Sequence, residues 1–346
     1  MTLKLSQDVV QAFELNDCEY SAITSGHINT TLLVKRGDDK YILQKLSPIF
    51  GAEVHQDIDA VTRLVGSAVP MPRLIPTRDG QLWVTTGDGE VWRLLEWMPG
   101  NTHLRAQHPG MCESAGRLVG RFHRALYQKE HSFAHRRLGV HNTAAHLRTL
   151  EQSLQEHADH GAIQEVSAMA RPVLKALAEI PDLTRYPERI VHGDLKISNI
   201  LFNDTFEATT LIDLDTLAPM PLAHEMGDAL RSWCNPQGEA STEASFSLPY
   251  FESAMRGYCE SVQGLFESDE IMSIVTGVET IALELTVRFL ADALNESYFG
   301  WDKEKYQSAS EHNLERAQGQ WIFAQSVGVQ RKQAREILES ILAQSA

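Results

Sequence analysis

The sequence predicts an α+β protein in two parts, a small five-stranded antiparallel one at residues 1–98 and a larger, mainly helical one at residues 99–346. Three observations lead there. The segment before Pro99 is dense in strand and turn signals. Pro99-Gly100 then marks a change of character. Beyond it, apolar residues recur at helical spacing, interrupted by one short strand-turn-strand insert, Val191 to Leu217.

Each element has its own signal. Ile28 to Val34 and Lys40 to Leu46 read as strands around the turn Arg36-Gly37-Asp38-Asp39, giving a hairpin. Val54, Ile58, Val61, Leu64 and Val65 share one face of a helix over Ala52 to Val65, before Pro70-Met71-Pro72. Gln81 to Thr85 and Val91 to Met98 flank Gly87-Asp88-Gly89 as a second hairpin. Met111, Ala115, Leu118, Val119, Phe122 and Leu126 mark an amphipathic helix. Further helices are expected over Ala144 to Glu156, Ala162 to Ile180, Leu248 to Cys259, Glu270 to Asn295 and Ser308 to Ala346. Ser268 is the candidate cap of the Glu270 helix, with Asp269 and Glu270 in its first turn. A cleft between two such parts is a natural ligand site.

Composition narrows the function. The 346 residues are 43% hydrophobic and 22% charged, enough for a packed core and too apolar for a disordered chain. With 31 basic and 46 acidic residues, the net charge of −15 disfavours nucleic acid and anionic membranes, whose phosphates need clustered Lys and Arg. Cys18, Cys112, Cys234 and Cys259 are too scattered for a zinc or redox motif, and reduced thiols fit a cytoplasmic setting. Met1 to Asp8 lacks the apolar core of a signal peptide. Ile271 to Leu294 is the most apolar long stretch, but Glu279, Glu284, Arg288 and Asp292 within it point to a buried soluble helix.

The chemistry concentrates in the insert. Ile190-Val191 leads into His192-Gly193-Asp194, then Lys196 and Asn199. Ile200-Leu201-Phe202 and Thr210-Leu211-Ile212 flank a turn at Asn203-Asp204, and Asp213 follows. If the two strands pair, Asp194, Asn199 and Asp213 converge at one end. An amide oxygen and a carboxylate are hard donors suited to Mg²⁺. A further carboxylate can deprotonate an attacking hydroxyl, and a lysine two residues on can neutralise a moving phosphoryl group.

His192-Gly193-Asp194-Leu195-Lys196-Ile197-Ser198-Asn199-Ile200-Leu201-Phe202 resembles the catalytic loop of the aminoglycoside phosphotransferase and choline kinase superfamily. Leu211-Ile212-Asp213-Leu214-Asp215-Thr216 resembles its metal-binding segment. The resemblance implies a bilobal, protein-kinase-like fold and an ATP- and Mg²⁺-dependent kinase. It makes Asp194 the general base, places Lys196 near the γ-phosphate and gives Asn199 and Asp213 to the metal. Ser25-Gly26-His27-Ile28-Asn29-Thr30 occupies the place of the phosphate-covering loop, which implies nucleotide contacts from Ser25, Asn29 and Thr30. In Tyr41-Ile42-Leu43-Gln44-Lys45-Leu46 the chain departs from the family, with Gln44 where a Lys or Arg is usual. Alternation puts Gln44 and Lys45 on opposite strand faces, so Lys45 substitutes only through a bulge or register shift. Its carboxylate partner would be Asp57, with Glu53 as the alternative. Arg93 to Gly100 resembles the hinge, with Glu96 and Met98 as backbone contacts for adenine, and Trp97 is core or adenine lining. His123 is expected to pack, not to catalyse.

Gly26-His27-Ile28-Asn29, Tyr41-Ile42-Leu43-Gln44 and Glu225-Met226-Gly227-Asp228-Ala229-Leu230-Arg231 are similar to the N-acetylhexosamine 1-kinase branch. That similarity implies transfer to an anomeric hydroxyl, with Asp228 and Arg231 binding substrate or bracing the loop. An aminoglycoside, amino-alcohol or homoserine kinase, and a nucleotide-binding pseudokinase, are the alternatives.

Overall fold

The computed structural model describes residues 5–23, 29–135, 141–238 and 241–345. Helix α1 (Gln7–Ala12) opens the chain, and the Ser6 hydroxyl caps it by accepting the Asp8 amide. Strands β1 (Glu19–Ile23), β2 (Thr30–Arg36) and β3 (Asp39–Lys45) follow, then α2 (Val54–Val65), β4 (Leu74–Ile75), β5 (Val84–Thr85) and β6 (Val91–Glu96). The six strands form one antiparallel sheet in the order β1-β2-β3-β6-β4, with β5 also paired to β6. The expected count of five is thus corrected to six. Strand β1 is an exposed edge with no alternating apolar signal, and β4 is two residues long, too short for a period to show.

Alternation gives the sheet two distinct faces. Leu32, Val34, Leu43, Trp92 and Leu94 pack with Val9, Phe13 and Leu15 into a small core on one side. The register sets Gln44 opposite Arg93, and Lys45 opposite Trp92 and Thr30. Gln44 and Arg93 therefore share the other face. The largest core takes in Leu46, Phe50, α2, Leu74 and Leu95 and continues through the helices beyond residue 98, so α2 packs in one core with the helical side.

The helical side begins with α3 (Pro109–Leu126), α4 (Thr143–Glu156) and α5 (Ile163–Ala178). Strand β7 (Glu188–Val191) pairs with β10 (Ala218–Pro221), and between them β8 (Ile200–Phe202) pairs with β9 (Ala208–Leu211). Then come α6 (Leu222–Trp233), α7 (Leu248–Val262), α8 (Ser268–Asn295) and α9 (Ala309–Ser345). The expectations did not include α6, every residue of which is buried except Ser232, so its polar residues His224, Glu225, Asp228 and Arg231 lie in the interior. Glu267, not Ser268, occupies the cap position of α8, and no side chain caps it.

Helices α6 and α8 cross with their backbones in contact. A Cβ on Gly277 would lie 1.9 Å from the Ala223 carbonyl, and one on Gly227 would lie 2.6 Å from Gly277. Helix α8 is buried nearly all round, and its acidic residues are each matched. Arg189 grips Glu270, Arg331 grips Glu279, and Asp292 takes three backbone amides and Asn313. No helix among the described residues is long and apolar enough to cross a membrane.

Candidate active site

The β8–β9 hairpin brings together what the insert suggested. Ile200 pairs with Leu211, and the Ile212 amide donates to the Asn199 carbonyl at 3.0 Å. A 3₁₀ turn over Ile197–Asn199 then folds Asn199 back, so that its Nδ2 donates to the Asp194 carbonyl (2.8 Å) and to Asp194 Oδ2 (3.0 Å). Lys196 Nζ donates to the same Oδ2 at 2.7 Å. Asp213 follows β9 in the left-handed region, φ 65° and ψ 58°, which turns the chain into the 3₁₀ turn Leu214–Thr216. Gly193, at φ 83°, is required by space as well as conformation, because a Cβ there would meet the Thr216 carbonyl at 2.2 Å.

The loop is held from several sides. Glu225 of α6 accepts the amides of His192 and Gly193, each at 2.8 Å. His123 lies 3.6 Å from that carboxylate through Nε2 and meets the Tyr258 hydroxyl at 3.0 Å through Nδ1. This gives the expected packing histidine a bracing contact. Trp233 Nε1 donates to the Leu195 carbonyl, the Ser232 hydroxyl accepts the Ile197 amide, and the Thr216 hydroxyl donates to the His192 carbonyl. Neither Glu225 nor Ser232 was singled out from sequence.

The electrostatics separate the two aspartates. Burial opposes the charge on Asp194, but Lys196 outweighs it and holds the carboxyl below its ordinary range. Burial, then the neighbouring Asp215 and Asp194 carboxylates, push Asp213 up to about 6. A carboxylate destabilised by its own neighbours is relieved by a bound cation. Among the described residues no side chain donates to Asp213, and Asn199 spends its amide nitrogen on Asp194, which leaves its oxygen as the acceptor. The described residues contain no cluster of three His, Cys, Asp or Glu that could hold a metal. Two protein oxygens nonetheless suit Mg²⁺, which is commonly held by one or two side chains together with substrate phosphates and water.

The sheet side differs from expectation. Lys45 lies on the face away from Asp215 and pairs with Glu90 at 2.9 Å, while Glu90 also accepts Trp92 Nε1. The Asp57 carboxylate is taken by His131 Nε2 and by the amides of Ala134 and His135, at 2.7 to 2.9 Å. The expected Lys45–Asp57 pair is therefore corrected: β3 runs without a bulge against both neighbours, so register sends Lys45 outward. Thr30 shares the Lys45 side for the same reason, and Thr31 instead meets Gln44. Asn29 does reach the site, donating to Asp215 Oδ2 at 2.7 Å and accepting the Ser47 amide. Ser25 lies outside the described residues. The Glu96 amide donates to the Arg73 carbonyl, and Met98 is half-buried in the following loop. Asp228 and Arg231 pair with each other on α6 at 2.9 Å, both buried.

An antiparallel sheet, a mostly helical remainder and this hairpin between them make a kinase-like α+β protein. The comparisons agree with the geometry. A family model described as the phosphotransferase enzyme family, APH, matches residues 19–254. An aminoglycoside phosphotransferase from Alicyclobacillus acidocaldarius is similar with a TM-score of 0.63 and 17% identity, over 96% of this chain and 98% of that one. A microcompartment-associated aminopropanol kinase gives 0.62 and 15%, over 98% of each chain. An amicoumacin kinase solved with AMP-PNP and Ca²⁺ gives 0.59 and 11%, over 95% of this chain and 91% of that one. The chain belongs to the APH phosphotransferase family. It is an ATP-dependent phosphotransferase acting on a hydroxyl acceptor.

Proposed function

We propose that this enzyme transfers the γ-phosphate of Mg²⁺-ATP to the anomeric hydroxyl of an N-acetylhexosamine. The convergence of Asp194, Lys196 and Asn199 at the end of the hairpin that leads into Asp213 carries the reaction class. Asp194 accepts the proton of the attacking hydroxyl. Lys196, anchored on Asp194, stands beside the group being transferred and neutralises its charge. Asn199 and Asp213 supply oxygen ligands to Mg²⁺, which offsets the phosphate charge. In this reading residues 1–98 form the nucleotide lobe, with Asn29 near the phosphates and the Glu96 and Met98 backbone at adenine. Residues 99–346 form the catalytic and acceptor lobe.

Two observations support a neutral sugar. One is the motif similarity around Tyr41 to Gln44 and Glu225 to Arg231. The other is that the buried carboxylates behind the loop are already matched: Asp228 by Arg231, Glu284 by His141 and Thr143, and Glu225 by backbone amides. An ammonium that paired with one of these carboxylates would have to displace its present partner. An aminoglycoside or amino-alcohol acceptor is the second reading, favoured by the solved relatives described as acting on such compounds and by the net charge of −15. A coupled assay across hexosamines, aminoglycosides and amino alcohols separates them. Phosphorus NMR of the product should show phosphate on an anomeric carbon. Turnover confined to amino compounds would refute the sugar assignment.

A further inference from the structure

Arg93 is the most enclosed cation of the sheet, 2% exposed, and it lies directly across from Gln44 in the β3–β6 register. Its guanidinium forks onto both oxygens of Asp215, with Nη2 2.9 Å from Oδ2 and Nη1 on Oδ1. Nε and Nη2 also donate to Gln44 Oε1, at 3.0 and 2.7 Å. Gln44 is fixed in turn, because its Nε2 donates to the Thr31 hydroxyl at 3.1 Å. The glutamine thus presents its carbonyl to the guanidinium. A lysine at 44 would instead set a second cation against Arg93, so the residue at 44 and the arginine at 93 fit each other chemically.

Asp215 belongs to the 3₁₀ turn that begins immediately after Asp213. It is 2% exposed, and between Arg93 and Asn29 both of its oxygens are filled. Asp213 itself has a left-handed backbone, a conformation that aspartate adopts more readily than most residues. The fork on Asp215, two residues on, is a buried charged restraint close to it. The two other charged residues considered for the nucleotide side are engaged elsewhere, Lys45 with Glu90 and Asp57 with the 131–135 loop.

We infer that Arg93 is the positioning residue of the metal–nucleotide site: by clamping Asp215 it fixes the direction of the Asp213 carboxylate and ties the sheet to the hairpin that carries the chemistry. This rests on the proposed role of Asp213 as a metal ligand. Arg93 acts through Asp215 and touches neither metal nor acceptor, so removing it should weaken metal-dependent nucleotide binding and leave acceptor recognition alone.

The test is calorimetric titration of the full-length protein with AMP-PNP, at several Mg²⁺ concentrations, for the parent, Arg93→Gln and Arg93→Lys. Arg93→Gln should raise the Mg²⁺ concentration for half-maximal nucleotide affinity by about tenfold, with acceptor KM in the steady-state assay changed less than about twofold. Arg93→Lys keeps the charge but loses the fork, and should recover part of the loss. Should Arg93→Gln not fold, Asp215→Asn, which retains size, is read by the same titration with the same expectation. Unchanged Mg²⁺ dependence in the variant, or a lysine no better than glutamine, overturns the inference. If the reading of Asp213 is itself wrong, Asp213→Ala will bind AMP-PNP with the parent's Mg²⁺ dependence, so the two failures are distinguishable.

Discussion

The Glu225 carboxylate and the Gly193 amide meet at 2.8 Å, and the same carboxylate takes the His192 amide at an equal distance. Helix α6 thereby fixes the backbone on which Asp194 stands. Burial opposes the Glu225 charge, but His123, then the His192 ring and the Gly193 amide, hold its carboxyl below the ordinary range. The anion is therefore the form that grips the loop.

Glu225→Gln should separate this positioning from the chemistry. The amide keeps the size of the carboxylate but turns an NH₂ toward one backbone N–H, leaving a buried donor unpaired. The expected cost is roughly 2–3 kcal/mol, read as a kcat lower by about 30- to 100-fold and a comparable loss of stability. The KM for ATP should change little. Steady-state kinetics with urea unfolding checks both parts.

The convergence of the candidate catalytic residues was legible because they are near neighbours. Asp194, Lys196 and Asn199 sit within six residues, and the short hairpin that delivers Asp213 announces itself by two apolar runs and a turn. The sheet side was not legible in the same way. Arg93 and Asp215 lie 122 residues apart, and nothing local to either marks a buried pair. Lys45 looked like a replacement for the missing lysine only while the register was unknown, because one position along a strand reverses the face. Helix α6 escaped for a different reason. Its apolar residues Leu222, Met226, Ala229, Leu230 and Trp233 do recur at helical spacing, but its polar side is buried as well, and the amides that Glu225 and Ser232 accept lie 32 to 35 residues earlier in the chain.

Asp194→Ala is expected to lower kcat by about 10²–10⁴-fold while nucleotide binding is largely kept, as befits a base that acts on the acceptor hydroxyl. Asp213→Ala should do the reverse and weaken metal-dependent nucleotide binding first. Comparing kcat with calorimetric nucleotide affinity for the two variants distinguishes the roles. Near-normal kcat in Asp194→Ala would remove it as the base.

His55 should make the protein acid-sensitive. Its Nδ1 bonds the Ala52 carbonyl at 2.6 Å and its ring stacks on Trp83, with centroids 5.3 Å apart. Burial, and then the Arg93 charge, push its pKa down to about 4. Between pH 6.5 and 4 the unfolded chain binds a proton here that the folded chain refuses. The stability from His55 is therefore complete above about pH 6.5 and is lost as pH falls toward 4, by roughly 3 kcal/mol. His55→Phe preserves the stack and removes the titration. Urea unfolding across this range should show a shallower pH slope in the variant, and the slope that remains includes His224, which burial likewise lowers to about 4.

Gly277→Ala tests whether the α6–α8 crossing sets the position of the loop. The added methyl would lie 1.9 Å from the Ala223 carbonyl, a backbone atom that cannot swing aside, so the helices must move apart. Alanine favours a helix interior over glycine by about 1 kcal/mol, which works in the opposite direction. Overpacking against backbone costs about 1–3 kcal/mol or more, so the net expectation is destabilisation. Separation of the helices would also shift Glu225 and Ser232, the two α6 side chains that accept amides from residues 192, 193 and 197. Activity should therefore fall even at temperatures where the variant is fully folded. Gly300→Ala, with open space around its Cβ, is the control and should leave both stability and kcat near the parent values. A fully active Gly277→Ala would mean that the loop is held independently of this crossing.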